Sequence, residues 1–310
     1  MNKTLIQCLS LMAFTGCLFV GCNKPPEPGA DSGKTPVTPP ATDTNPGTVA
    51  KPHPAPEPVP PVPAPALAPS PAPAQHNVFA DPTIGAVLAS TAGQPFGQVG
   101  EEALQAFSTL DLTGKSIADL SGVDKLTRLE SLSLGNNQIE DISPLGGLEY
   151  LTVADLSSNQ IKDLAALGRV PNLVELSIGG NAVADVSALS ALEHLEHLAI
   201  SDNPLTDITP LGKITTLKVL QVSDTEVRSL DGLETLAALE ELYVANLPIA
   251  DVEALHALKN LKRLNLHGTW VSLEKIVALK AAVPGLEIAH DPEPKSLPVP
   301  PPTPPLPLVP

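Results

Sequence analysis

Two histidines three residues apart, in Glu193-His194-Leu195-Glu196-His197, come nearest in this sequence to a zinc-ligand pair. A column of aspartates, Asp119, Asp141, Asp163, Asp185, Asp207 and Asp251, offers the oxygen ligands that calcium takes. Serine, histidine and aspartate recur together, as nucleophilic hydrolysis requires, but no nucleophile motif or glycine-rich phosphate loop accompanies them. A different group, His197, Gln221, Glu241, Tyr243, Arg263, Asn265, His267 and Trp270, includes the aromatic and arginine side chains that anchor binding interfaces. All three thiols, Cys8, Cys17 and Cys22, fall within the first 22 residues, so no later segment has a cysteine for metal, redox or disulfide chemistry. Which of these sets acts together depends on the register that the chain gives them.

That register is set by a repeat. The pair L-x-L, or its Ile, Val or Ala equivalent, starts at 110, 132, 154, 176, 198, 220, 242, 264 and 286, an interval of 22 residues each time. Two apolar residues in alternation make a short strand with one face inward. The residue three past the pair's second leucine sits where the chain must turn, and its amide can bond the backbone of a neighbouring coil. Asn137, Asn159, Asn181 and Asn203 hold that place, predicting a ladder of buried amides, while Lys115, Thr225, Leu247 and Thr269 interrupt it. Ile139, Ile161, Val183, Leu205, Val227 and Ile249 then return to the core. Trios such as Leu189, Leu192 and Leu195 follow at the three-residue period of a 3₁₀ back wall.

The register decides among the chemistries. His194 ends a back wall and His197 enters a strand, so the two diverge and no metal site is expected. The aspartates precede the back walls, where turn and cap hydrogen bonds explain them more simply than calcium does. No cofactor site emerges, and no enzyme is expected. Nine parallel strands about 4.8 Å apart make a sheet roughly 40 Å long. Its first half presents small residues such as Ser133, Gly135, Ser177 and Gly179, whereas the anchor group from His197 to His267, with Trp270 just beyond, gathers in the second half. A protein or peptide ligand is expected to dock there. The opposing reading is that Trp270 plugs the last coil and the polar residues are simply solvated.

These units, including Asp141-Ile142-Ser143-Pro144-Leu145 and Asp207-Ile208-Thr209-Pro210-Leu211, resemble the leucine-rich repeats of internalin-type bacterial surface proteins over roughly residues 78 to 289. The resemblance implies an α/β solenoid: a right-handed superhelix with a parallel concave sheet and a 3₁₀ or irregular convex side. It extends to a helical N-terminal cap in Phe79-Ala80-Asp81-Pro82-Thr83-Ile84 through Leu88, then Glu101 to Phe107. Asp81 as N-cap with Pro82 at the first helical position is a sound helix start. Unlike many internalins, the repeats are not followed by a cell-wall anchor or immunoglobulin-like domain, so host invasion is not implied. Ser272 to Ala282 reads as a longer helix before a closing Leu286-Glu287-Ile288 strand, a C-terminal cap.

The N-terminus reads as an address label. Lys3 precedes a mostly apolar run from Leu5 to Val20, too short to span a bilayer comfortably. Leu18-Phe19-Val20-Gly21-Cys22 resembles a bacterial lipobox, which implies a signal peptide over 1–21 and acylation of Cys22. Phe19 departs from the family's leucine, Phe14-Thr15-Gly16-Cys17 is a second possible site, and an ordinary secretory signal is the plainer alternative. Several acyl chains would hold the protein to a membrane durably. Asn23 in place of the retention aspartate points to the outer membrane or cell surface.

Of the 36 prolines, 28 lie in residues 23–75 or 291–310. The first of these stretches, following lipidated Cys22, reads as a disordered tether reaching on the order of 160 Å if fully extended. The second reads as a tail. The expected divisions are thus signal 1–21, lipidated tether 22–75, N-cap 76–108, repeats with C-cap 109–290 and tail 291–310. Net charge is −16, with 28 acids against 13 bases in residues 76–290. That surface repels phosphate backbones and excludes nucleic acid as a partner. The sequence therefore reads as a monomeric, membrane-tethered interaction module. A structural envelope lipoprotein without a specific ligand is the alternative, and a hydrolase the third.

Overall fold

The computed structural model describes residues 78–95 and 97–292. The signal segment, Cys22, the tether and the tail from 293 onward lie outside them. Nine three-residue strands, β1 (Thr109–Asp111), β2 (Ser131–Ser133), β3 (Val153–Asp155), β4 (Glu175–Ser177), β5 (His197–Ala199), β6 (Val219–Gln221), β7 (Glu241–Tyr243), β8 (Arg263–Asn265) and β9 (Glu287–Ala289), form one parallel sheet in chain order. Each strand pairs with the next through a 22-residue register, such as Leu132↔Ala154 and Leu220↔Leu242. The last step differs. Leu264 pairs with Ile288, an advance of 24, so the closing strand is Glu287–Ala289 rather than Leu286–Ile288. The cause is the back wall: earlier coils cross in a 3₁₀ segment, whereas the last uses an α-helix that rises only about 1.5 Å per residue, against about 2.0 Å.

Within a coil, the central strand leucine and the next apolar residue but one point inward and are fully buried, as are Leu176 and Ile178 or Leu198 and Ile200. Burying each such side chain contributes about 1.5–3 kcal/mol. Apart from Ser116, Gly122 and Gly232, where φ is positive elsewhere in the coil, the chain takes positive φ at one aligned turn position per coil: Gly114, Asn136, Ser158, Gly180, Asp202, Asp224, Asn246 and Gly268. The turn thus falls one residue before the asparagine column. Glycine, and to a lesser degree Asn and Asp, tolerate this left-handed conformation, and Ser158 is the one departure from that set.

One residue on, the asparagine side chain folds inward. Asn137 Nδ2 donates to Leu112 O of the preceding coil and to Leu134 O of its own, while its Oδ1 accepts from the N–H groups of Lys115 and Ile117. Asn159, Asn181 and Asn203 repeat the pattern on Leu134, Leu156 and Ile178. Asn137 and Asn203 are buried, Asn159 and Asn181 half-buried. Thr225 and Thr269 substitute a hydroxyl that donates only within its own coil, to Val222 O and Leu266 O.

Two caps close the stack. Helix α1 (Pro82–Ala92) starts at Asp81, whose side chain accepts from Thr83 N, and stops at left-handed Gly93. With the short α2 (Glu101–Leu104) it places Phe79, Ile84, Leu88, Leu104 and Phe107 over the first coil. At the other end α3 (Leu273–Ala282) is capped by Ser272 and buries Ile276 and Leu279. Asp291, which the sequence assigns to the tail, ties back to this end: its carboxylate accepts from Gly268 N at 2.7 Å and lies 2.9 Å from His267 Nδ1.

Candidate interaction faces

Because strand side chains alternate, residues flanking each buried leucine stand on the outer face of the sheet, and 22-residue register aligns them in columns. One column runs Val153, Glu175, His197, Val219, Glu241, Arg263, and the next Asp155, Ser177, Ala199, Gln221, Tyr243, Asn265. The structure ties three of the anchor residues into one network. The Tyr243 hydroxyl donates to Glu241 Oε2 at 2.8 Å, and Arg263 pairs with Glu241 Oε1 from the adjacent strand. Burial pushes the Glu241 carboxyl up, but the bonds from Arg263 and Tyr243 outweigh it and hold Glu241 below the usual carboxylate range. Burial and the bond to Glu241 together push the Tyr243 phenol up. An arginine and a tyrosine are thereby both bonded to one half-buried carboxylate, so ordering them on binding costs less.

His197 stands between two carboxylates and acts electrostatically on both Glu175 and Glu241. Glu175 is half-buried, and among the described residues no donor reaches its Oε2. Its carboxyl is pushed up chiefly by burial and also by Glu196, with His197 opposing. Gln221 lies between Ala199 and Tyr243 in register. Asn265 and His267 are engaged differently: Asn265 Oδ1 accepts from His267 N, and His267 faces Asp291. Their side chains fasten the last turn. Trp270 lies past the left-handed Gly268 turn and off the strand columns, half-buried between buried Thr269 and Val271, its backbone N–H donating to Ile249 O.

The aspartate column is occupied by local bonds. Asp119, Asp141, Asp163, Asp185, Asp207 and Asp251 each accept the backbone N–H two residues on, at 2.7–2.8 Å. In the coil that lacks the aspartate, Ser229 Oγ accepts the equivalent bond from the Asp231 N–H. His194 is exposed after a back wall while His197 is half-buried on β5. Among the described residues, no three His, Cys, Asp or Glu side chains converge as metal ligands.

A second surface escapes sequence reasoning. Where each back wall descends toward its strand, an open groove of about 520 Å³ crosses four coils. Tyr150, Asn172, His194 and Thr216, one per coil, line it together with Glu130 and Glu196. Tyr150 is 52% exposed, unusual for an aromatic in a chain with so few. Its 22-residue column was the available clue.

Comparison with known proteins identifies the repeat. The leucine-rich-repeat family model (two-copy form) matches residues 108–147 and 171–213. Internalin C2 of Listeria monocytogenes is 27% identical in sequence, with a TM-score of 0.66 over 69% of this chain and 95% of that one. An internalin F structure from the same organism is 24% identical, at TM-score 0.52 over 73% and 80% of the two chains. A leucine-rich-repeat protein of Leptospira interrogans, 20% identical, aligns at TM-score 0.52 over 60% of this chain and 55% of its own. No curated protein matches in sequence. The chain carries leucine-rich repeats folded as a solenoid similar in structure to those of internalins.

Proposed function

We propose that this protein is a membrane-tethered interaction module that binds a protein or peptide through the second half of its concave sheet and catalyses nothing. The observation that carries this reading is the Glu241-Tyr243-Arg263 network. An exposed arginine and a half-buried tyrosine are pre-positioned on an open face with His197 and Gln221 beside them. Such residues dominate binding energy where they are held rigidly. The leucine-rich-repeat solenoid and its likeness to internalins support an interaction module over an enzyme. Attachment follows from the lipobox-like segment ending at Cys22, and the outer membrane or cell surface from Asn23. The test is affinity capture with the full chain and with Tyr243→Ala/Arg263→Ala. The pair should lose a specific partner that the parent retains, and an unchanged set of captured proteins refutes the face assignment.

A further inference from the structure

The lateral groove is chemically unlike the sheet face. Its floor is backbone already in use: Thr152 and Val153 N–H both donate to Glu130 O, Val174 and Glu175 N–H to Thr152 O, and Glu196 N–H to Val174 O. The Thr152 and Thr216 hydroxyls donate to Glu130 O and Leu195 O, and Asn172 Nδ2 to Glu149 O. The side chains that line the groove are therefore rich in acceptors: the carboxylates of Glu130 and Glu196, whose Oε2 also holds Lys218 Nζ at 2.7 Å, with the Asn172 amide and the His194 ring beside them.

This inventory discriminates between ligands. An extended peptide brings one carbonyl for every N–H and needs donors that the floor has spent. A phosphate, sulfate or carboxylate meets two glutamates and is repelled. A molecule dense in hydroxyl groups satisfies the acceptors without bringing charge.

The one aromatic wall suits the same ligand. Arg128, one coil before Tyr150, holds its guanidinium 5.6 Å from the ring centroid and does not line the groove. It steadies the ring from one side, while Asn172 and His194 line the groove in the next two coils. An aromatic face pre-set in this way stacks on the C–H face of a pyranose, burying apolar area beside polar contacts. From Tyr150 to Thr216 the groove crosses three inter-coil steps of about 4.8 Å, about 14 Å in all, the reach of a trisaccharide.

We infer that the groove beneath Tyr150 is a binding site for a neutral oligosaccharide, distinct from the concave face and independent of the reading given above. The test titrates the full chain with cellohexaose, maltohexaose and chitohexaose, and with a sulfated oligosaccharide, by calorimetry. One of the neutral sugars should bind, Tyr150→Ala should weaken it at least tenfold, and Tyr243→Ala should leave it unchanged. Tyr150 is exposed, and circular dichroism checks that its variant is folded. Absence of binding by all three neutral sugars, tighter binding of the sulfated one, or equal loss in both variants overturns the assignment.

Discussion

Asn137 reaches across a coil boundary to Ile117: its Oδ1 lies 3.0 Å from the Ile117 nitrogen, 20 residues earlier in the chain and buried with it. One amide thus supplies partners for Leu112 O, Lys115 N and Ile117 N as well as its own coil. Replacing it leaves several buried polar groups without partners, each costing about 1–3 kcal/mol. Asn137→Ala should destabilise the fold by roughly 2–4 kcal/mol. Half-buried Asn159→Ala should cost less, because water reaches what it abandons. Urea denaturation of both variants measures the difference.

The left-handed column predicts a second effect. Gly180 has φ +66°, and a Cβ there would meet Ser158 Oγ at 3.4 Å, which is ordinary contact. Sterics with neighbours therefore add little, and Gly180→Ala should cost about 1–2 kcal/mol through backbone strain alone. Thermal unfolding should show it, with the strand register retained.

Two carboxylates on the sheet should respond oppositely to pH. Glu241 is held below its ordinary range, so its stabilising contribution is present at neutral pH and lost as pH falls through its lowered folded value. Glu175 is pushed up by burial, with Glu196 adding and His197 opposing, so its ionisation weakens the fold as pH rises through the folded value. Glu175→Gln should therefore stabilise at pH 7, and Glu241→Gln destabilise. Both differences should fade on acidification, Glu175→Gln first, once each glutamate is neutral in the folded and unfolded states. Denaturation midpoints between pH 3 and 7 check the signs.

Most of the fold was legible because a coil of constant length needs the same apolar positions each time, and Leu132, Leu134, Ile139, Leu145, Leu148 and Leu151 state them without ambiguity. The final 24-residue step was not. An α-helix and a 3₁₀ turn bury apolar residues at similar spacing, but differ in how many residues they spend crossing the wall. Asp251 was readable as a turn former, while its pairing with Lys275 Nζ at 2.7 Å depends on where α3 begins. At the sheet, His197, Tyr243 and Arg263 stood out by residue type, whereas Glu175 did not. Its character comes from burial beside Val153 and His197 rather than from identity. Trp270 stood out by type and lies off the columns, because the Gly268 turn intervenes.

Attachment has a separate test. Cys22→Ser should abolish metabolic labelling with a radioactive fatty acid and release the chain from membranes, because single-site acylation provides the whole anchor in this reading. Labelling that persists in Cys22→Ser and disappears in Cys17→Ser moves the lipid to the earlier cysteine.

The most direct measurement of the interaction claim is site-specific photocrosslinking of the full chain in its native envelope. A photoreactive side chain replaces Gln221, beside Tyr243 on the sheet, or Lys213, exposed at the end of a back wall. The concave-face account predicts a discrete protein or peptide adduct from position 221 that vanishes in the Tyr243→Ala/Arg263→Ala background, and none from position 213. The same adduct from both positions, or one from 213 alone, contradicts it.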